Sequence, residues 1–388
     1  MNGPTPFERM NRHGAIVDAS HDELAMENFA QAMHFEVFAH LMPGNKDVYE
    51  HRVLPAFKKR KGRTPESRRE VRAEMREDPY HQTWSALRRT TQEMMWIATD
   101  TCLHRTYDEL HERAQPKGKK LGSLELNPDL DLPRYITAVD IHCMPGGYCS
   151  EATNGDVYAG ALYDRGVYSI TQGFLGPKVD GFGRSATAYI KRNYPNFRTG
   201  KVLDVGCAVG HGSVALAETL PDAEIYAIDV GAPMLRYAHA RAESMGVPVH
   251  FSQQSAEHMT YDDNTFDFVV SGATLHELST AGIRNIIREC HRVLKPGGVM
   301  IHIEQPQYEG MDPYDQFMRD WDTFGNNEPF WGTLHDLDLE AIAVDAGFKR
   351  EKVHQSMEWG DEERGQVYNV DKPGEEQTPP WFFYSATK

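Results

Sequence analysis

The chain has 388 residues with 41 Lys and Arg against 57 Asp and Glu, so its formal net charge is −16 at pH 7. That acidity argues against a broadly basic nucleic-acid-binding protein, and we expect no nucleic-acid partner. With 40% apolar and 25% charged residues, the composition is that of a globular protein long enough for two or three domains. No apolar run approaches the roughly 18 to 20 residues of a membrane helix, and the first residues lack a signal peptide's apolar core, so we expect a cytoplasmic protein without a membrane span.

Helical patterns dominate the first third of the chain. Leu24, Phe29 and Met33 are spaced for one face of a helix, and Pro43-Gly44 ends that pattern. Further helical stretches are predicted over 46–60, 65–78 and 80–114. The histidine pairs of this region lack i, i+4 spacing, so we expect them to pack in the core, and we expect no metal site.

Residues 116–133 are rich in Gly, Pro and Lys, which is typical of a linker. We therefore predict a mainly helical N-terminal domain with its linker over 1–133, a connecting lid segment over 134–180 and a further domain over 181–388. The connecting segment opens on a β-like stretch at 135–143 and continues into a tyrosine-rich stretch that contains Tyr163.

A strand, a glycine-rich turn and a helix follow one another from residue 201. KVLDV (201–205) predicts a buried strand, GCAVGHG (206–212) a turn, and SVALAETL a helix. Such a turn lets a ligand approach the backbone and directs the helix N-terminal amides at it. A second strand, over 223–229, ends in Asp229, where one βαβ step would place a carboxylate beside a ribose. The pattern predicts a site for a nucleotide-like cofactor.

Two kinds of cofactor fit this pattern. Residues 210–215 match the dinucleotide sequence G-x-G-x-x-A, but these glycines start five residues after the strand instead of at its end. In the other interpretation the loop begins at Gly206, just after an acidic residue in the strand end, Asp204. A carboxylate has the wrong charge for a pyrophosphate, whereas it attracts an ammonium group. Asp204 followed by Gly206-x-Ala208-x-Gly210 resembles the first motif of class I S-adenosylmethionine-dependent methyltransferases.

The resemblance continues over roughly 181–388 in the order of that family. Ser255-Ala256-Glu257 follows the third strand, Leu275-His276-Glu277 follows the fourth strand at 266–271, and a helix near 280–294 leads to VLKPGG and the strand VMIHIEQ. The run of motifs resembles the ubiquinone/menaquinone C-methyltransferase-like group of small-molecule enzymes. The Asp/Asn-Pro-Pro-Tyr/Phe element of amino-methylating nucleic-acid enzymes is absent after the fourth strand, where SGATLHEL stands.

The resemblance implies an α/β fold with a Rossmann-like, doubly wound sheet of seven strands, the last of them antiparallel. Strands near 351–358 and 381–387 would close the sheet, with an acidic loop over 361–378 between them. The implied cofactor is S-adenosylmethionine. Its contacts are assigned to Asp204, Gly206, Cys207, Gly210, Asp229, Val230, Met234, Ser255, Ala256, Glu257, Ser271 and Tyr163. Ser255 stands where the family usually has an acidic residue for the adenine amino group, and the amide of Cys207 is expected to face the ligand.

The implied activity is methyl transfer to a small acceptor, apolar or aromatic, with O- or C-methylation favoured. His276 and Glu277 follow the fourth strand, near the expected position of the methyl group, and either serve as a base toward the acceptor or cap the next helix. Two other functions stay open: a non-catalytic protein built on the cofactor fold, and an NAD(P)-dependent oxidoreductase.

The acceptor site needs a cover, and two parts of the chain could provide it. The insert over 304–337 is rich in aromatic residues, so we predict a lid over the acceptor, with a structural cap on the sheet edge as the alternative. Trp321, Trp331 and His335 are its candidate substrate-binding residues. We expect the N-terminal helices to cover the acceptor half of the crevice, to form a homodimer surface, or both.

Overall fold

An eight-stranded sheet lies at the centre of the computed structural model, which describes residues 7–115, 118–198, 200–358 and 381–388. The strands are β1 (Ser123–Glu125), β2 (Lys201–Val205), β3 (Glu224–Asp229), β4 (His250–Gln253), β5 (Phe266–Gly272), β6 (Leu294–Glu304), β7 (Val353–Glu358) and β8 (Trp381–Thr387). Their order is β1-β4-β3-β2-β5-β6-β8-β7, and only β8 runs antiparallel to its neighbours. The chain order reverses between β2 and β5, so a crevice opens at the carboxyl ends of these two strands.

The predicted fold class is confirmed, but the strand count was wrong by one. β1 lies in the stretch that we predicted to be a linker, and it pairs with β4. Three residues are too few to show a strand period in the sequence. Tertiary contacts hold the strand instead: the amides of Leu121 and Gly122 donate to the carboxylate of Glu243.

Helices cover both faces of the sheet. The chain's longer helices are His21–Glu36, Leu54–Lys61, Arg68–Met75, Pro79–Arg105, Tyr107–Arg113, Tyr158–Ile170, Gly181–Asn193, His211–Thr219, Ala232–Ser244, Thr280–Val293, Pro313–Asp320 and Leu339–Ala346. Short helical turns are Phe7–Arg9, Val37–Leu41, Gly44–Val48, Tyr49–Val53, Arg134–Thr137, Ile141–Cys143, Leu275–Glu277, Asp322–Gly325, Trp331–Leu334 and Arg350–Lys352. One apolar core lies under Thr280–Val293 and Leu339–Ala346, and a second lies under Gly181–Asn193, His211–Thr219 and Ala232–Ser244.

The N-terminal helices share a third core with the sheet's own helices. Trp96 and Leu103 of the long helix pack in one cluster with Leu162 and with Tyr237 of helix Ala232–Ser244. The buried carboxylate of Asp164 strengthens this contact by accepting from the hydroxyl of Tyr237 at 2.9 Å. The N-terminal helices therefore pack directly against helix Ala232–Ser244, which follows β3. The domain boundaries predicted from the sequence stay a prediction.

Two local predictions in the N-terminal half were wrong. The β-like stretch at 135–143 forms a helical turn, Arg134–Thr137, and a 3₁₀ turn, Ile141–Cys143. Phe29 and Met33, predicted on a core face, are 58% and 37% exposed. The helix turns a different face inward because the buried carboxylate of Glu27 pairs with the guanidinium of Arg165 across the core.

β7 and β8 confirm the two closing strands predicted near 351–358 and 381–387. The predicted acidic loop over 361–378 lies outside the described residues. Among the helices that the structure describes, none is long and apolar enough to cross a membrane.

Candidate active site

The loop after β2 brings its backbone against the turn after β5. Gly206, Ala208 and Gly210 all have left-handed backbone conformations, with φ of 70°, 47° and 74°. A side chain at Gly206 would place its Cβ 2.4 Å from the Thr274 side chain, so a glycine is required there. The amide of Cys207, expected to face the ligand, instead donates to the carbonyl of Ile228 at 3.0 Å. That expectation was wrong because the loop is tied to β3 by its own amides.

A cavity of about 120 Å³, the Asp229 cavity, lies at the end of β3. The carboxylate of Asp229 accepts from the amides of Ala208 at 2.9 Å and Gly231 at 2.8 Å. Burial raises the pKa of Asp229, and those backbone hydrogen bonds oppose the rise. The predicted residues in its wall are Asp229, Val230, Met234, Ser255, Ala256 and Glu257.

A second cavity, the central cavity, measures about 310 Å³ and continues from the first across the loop. The two cavities share wall residues, among them Tyr163, Gly206, Ala208 and Glu277. Asp204 lies in the wall of the central cavity, buried, with the hydroxyl of Ser213 donating to it at 2.6 Å. Burial, assisted by the charge of Asp229, raises the pKa of Asp204 to about 6.

Aromatic and apolar side chains line the far side of the central cavity. They come from four parts of the chain: Trp96 from the long N-terminal helix, Val167 and Phe174 from the connecting segment, Trp331 from the insert, and Trp381 from β8. The cavity is thus lined both by polar groups, which include the loop after β2, and by apolar side chains from distant segments. Such a surface suits a small ligand with one polar end.

Two histidines and three glutamates meet where the two walls join. His276 Nδ1 lies 2.7 Å from Glu304 Oε2, and His142 Nδ1 lies 2.9 Å from Glu328 Oε1. Glu277 Oε1 accepts from the hydroxyl of Tyr148 at 3.1 Å. Burial lowers the pKa of His276, and the carboxylates of Glu304, Glu328 and Glu277 raise it more, to about 9 on balance.

Comparisons with known proteins agree with this geometry. Residues 202–298 match the family model described as "Methyltransferase domain". An uncharacterized methyltransferase of Synechocystis sp. is 31% identical over 157 residues, which cover 40% of this chain and 69% of that protein. The chain belongs to the class I S-adenosylmethionine-dependent methyltransferases.

Other relatives match over a smaller share of their length. A demethylmenaquinone methyltransferase of Geobacillus stearothermophilus is 31% identical over 109 residues, which cover 28% of this chain and 46% of that protein. The chain thus spans about half the length of the demethylmenaquinone methyltransferases that it matches first. Among solved structures, phosphoethanolamine N-methyltransferase 2 of Haemonchus contortus, in complex with S-adenosyl-L-methionine, superposes with a TM-score of 0.43 and 18% identity over 58% of this chain and 57% of that one.

The family and its cofactor, both predicted from the sequence, are confirmed. The walls of the two cavities fit this methyltransferase cofactor, because a glycine cradle stands between two carboxylates, the buried Asp204 and the half-buried Asp229. Most of the predicted contacts lie together there. Tyr163 borders both cavities, and Gly210 caps the helix that begins at His211.

Gly210 lines neither cavity, and three further predicted site residues also lie outside the cavity walls. Ser271 is fully buried and bonds His302 Nδ1 at 2.6 Å, away from the walls of either cavity. Trp321 donates to the hydroxyl of Ser85 on the long N-terminal helix at 2.8 Å. His335 packs edge-on against Trp331, with ring centroids 5.1 Å apart, and of the insert's three candidates only Trp331 lines the central cavity.

Sequence reasoning missed His142, Glu304 and Glu328. Glu304 ends β6 at the same sheet edge as Asp204 and Asp229, so its position was a usable signal. His142 and Glu328 lie in irregular segments, and no sequence pattern indicates where their side chains go.

The carboxylate of Glu257, a predicted cofactor contact, already accepts hydrogen bonds at both oxygens, from the hydroxyl of Tyr135 and from the side-chain amide of Asn285.

Proposed function

We propose that the protein transfers the methyl group of S-adenosylmethionine to a small acceptor with an apolar or aromatic body and one polar end. The observation that carries this proposal is the central cavity, with the cofactor loop on one side and apolar side chains on the other. The sulfonium of the cofactor supplies a methyl group that is already activated for displacement. The protein's task is therefore alignment and exclusion of water.

We assign the cofactor's two ends to the carboxylates of Asp229 and Asp204. Asp229 would bind the ribose hydroxyls, because it lies in the wall of the Asp229 cavity with its orientation fixed by two backbone amides. Asp204 would attract the ammonium of the methionine end from the wall of the central cavity. The opening between these cavities, beside Gly206, is where the reacting part of the cofactor would lie.

The polar end of the acceptor would lie against His276 and Glu277. Both residues border the central cavity just after β5, and Glu277 borders the Asp229 cavity as well. Glu304 holds His276 in place through Nδ1, so its Nε2 is directed away from β6. An acceptor with a hydroxyl or enol oxygen, or a carbon activated by one, suits these two side chains. O- or C-methylation is therefore the favoured reaction.

The apolar body of the acceptor would extend toward the N-terminal helices. A third cavity of about 310 Å³, the N-terminal cavity, is lined by Phe35, Phe38 and Ala39 among others. It shares Ile170, Phe174 and Asn326 with the central cavity. That continuity supports an acceptor that carries an apolar chain or a second ring beyond its reacting end.

The test is a screen of the full-length chain with methyl-labelled S-adenosylmethionine against phenols and enols, with and without apolar tails. We expect labelled product from a tailed phenol or enol, identified by mass, and retention of cofactor binding in calorimetry. The Asp229→Ala variant, assayed at a cofactor concentration below its weakened affinity, is the low-activity control. Cofactor binding without transfer to any acceptor would favour the non-catalytic alternative, and nicotinamide binding in its place would favour an oxidoreductase.

A further inference from the structure

The cluster of two histidines and three glutamates has the geometry of a metal-binding site. One nitrogen of His142, one nitrogen of His276 and one oxygen of Glu277 all lie within 4.8 Å of one another. Glu277 Oε1 lies 3.4 Å from His142 Nε2 and 3.8 Å from His276 Nε2. Ligand atoms about 2.0–2.1 Å from a tetrahedral metal are roughly 3.3 Å apart. The three atoms are therefore placed to converge on one small cation.

Each histidine has a carboxylate behind it. Glu304 lies against Nδ1 of His276 and Glu328 lies against Nδ1 of His142, so the Nε2 atoms of both rings turn to the same oxygen of Glu277. Glu304 is itself held in place, because its Oε1 accepts from the amides of Thr274 and Leu275. Carboxylate–histidine pairs of this kind orient the imidazoles of metal sites and raise their basicity.

The cluster also contains unused ligand capacity. Glu277 Oε2 and Glu328 Oε2 are buried without a hydrogen-bond partner in the part of the chain that the structure describes, whereas Glu328 Oε1 has the 2.9 Å ion-pair contact with His142 Nδ1. Glu328 is fully buried. Buried carboxylate oxygens without donors are strongly unfavourable unless a cation compensates them. One of them, Glu328 Oε2, lies 4.0 Å from His276 Nε2, the nitrogen that turns to Glu277.

The backbone at His142 is held in a strained conformation that fixes its side chain. His142 has φ 55° and ψ 14°, and Cys143 has φ 60°. Left-handed conformations are unfavourable for residues with a Cβ and persist where the surroundings impose them. Two side-chain donors from the long N-terminal helix, Gln92 and Trp96, hold the His142 carbonyl at 2.9 and 2.7 Å.

We propose that His142, His276 and Glu277 bind one divalent transition-metal ion in the wall of the central cavity, with Glu304 and Glu328 as supporting carboxylates. Imidazole nitrogen with carboxylate oxygen and no thiolate suits Zn²⁺, Fe²⁺, Mn²⁺ or Co²⁺ better than Mg²⁺ or Ca²⁺, which prefer oxygen alone. The expectation of no metal site, drawn from sequence spacing, missed this arrangement because its ligands come from segments more than 130 residues apart. The bound ion would coordinate an oxygen of the acceptor, and this consequence rests on the proposed function. Metal binding itself does not depend on the proposed function.

Metal binding is tested on the full-length chain after removal of metals with a chelator. We expect titration with Co²⁺ to give visible absorption bands that saturate at one ion per chain, and elemental analysis after incubation with Zn²⁺ or Mn²⁺ to give the same stoichiometry. His142→Gln should weaken binding by about 100-fold or more, and Glu304→Gln by roughly 10- to 100-fold. His51→Gln is the matched control, because His51 is an exposed histidine of the N-terminal helices and should leave the stoichiometry unchanged.

The opposite results are equally specific. Unsaturable binding, binding well below one ion per chain, or identical affinity in the His142→Gln variant would overturn the proposal. If the variant does not fold, the stoichiometry of the wild-type chain decides. S-adenosylhomocysteine binding and methyl transfer are measured on the same samples. A chain that binds one metal ion but transfers no methyl group counts against the proposed function and leaves the metal site standing.

Discussion

The two halves of the candidate site are built in different ways. Apart from Tyr163 and other connecting-segment residues in the wall of the Asp229 cavity, the cofactor half comes from consecutive strand ends and turns within about 75 residues, from Asp204 to Glu277. The acceptor half is assembled from the long N-terminal helix, the connecting segment, the insert and β8. The first half is local in sequence, and the second exists only when distant segments pack together.

The two halves should therefore tolerate different kinds of substitution. The cofactor half depends on backbone conformation, as at Gly206, and on two carboxylates, so few side-chain types can replace its residues. The acceptor half depends on the shape of an apolar wall, which tolerates exchange between side chains of similar volume. Changes in the cofactor half should therefore alter cofactor affinity, and changes in the acceptor half should alter turnover or acceptor preference.

The largest effect is expected at the junction of the halves. His276→Ala should lower turnover by roughly 100-fold or more and leave S-adenosylhomocysteine affinity intact, because His276 belongs to the acceptor half. Steady-state rates and calorimetry on the same preparation measure both. A variant that loses thermal stability but keeps its specific activity would show that His276 only caps and packs.

In the cofactor half, Asp229→Ala should weaken S-adenosylhomocysteine binding by an order of magnitude or more. The variant loses charge-assisted hydrogen bonds to the ribose, each worth roughly 1.5–3 kcal/mol. Asp222→Ala is the matched control, because Asp222 is exposed and lies before the opposite end of the same strand. Equal affinity of both variants would contradict the assigned position of the ribose.

Cofactor affinity should also depend on pH through Asp204. Burial and the charge of Asp229 raise its pKa from 3.8 to about 6, and the hydrogen bond from Ser213 opposes this rise. Only the ionised carboxylate attracts an ammonium group, so affinity is full above pH 6 and falls as the pH drops through 6. At pH 5 it should be about tenfold weaker, because one proton must be released on binding.

Asp204→Asn is the control for that pH profile. The amide keeps an oxygen for the Ser213 hydroxyl, removes the titrating group, and should give weak binding with a flatter profile between pH 5 and 8. Calorimetry at several pH values measures both curves. A profile as steep as that of the wild type would assign the titration to another group, with Asp229 the first candidate because burial raises its pKa too.

The smallest effect should come from the acceptor half alone. Ala39→Phe narrows the N-terminal cavity and should raise KM several-fold for acceptors with an apolar tail, with little change for short ones. Ala32→Phe, on the exposed side of the preceding helix, is the matched control. Equal KM values for tailed acceptors in both variants would show that the acceptor does not extend toward the N-terminal helices.

Much of the cofactor half could be predicted from the sequence because its geometry is local. The strand, turn and helix between 201 and 219, and the acid at the end of β3, follow from apolar runs and glycine positions that chain connectivity alone brings together. Even there, the Cys207 amide was misassigned, because its hydrogen bond to β3 depends on how two strands pair. Ser271 was misassigned because its side chain points to β6 rather than to the crevice.

The sequence by itself determined the fold class, the family, the cofactor and the carboxylates at the strand ends, since periodicity, glycine turns and motif order are properties of short segments. Only the tertiary structure decided what joins the acceptor half. His142, Glu304 and Glu328 meet because a strained turn, a strand end and the insert pack at one point, and β1 joins the sheet through contacts with a distant helix. Contacts between residues so far apart in the chain depend on the packing of whole elements, and no local pattern encodes them.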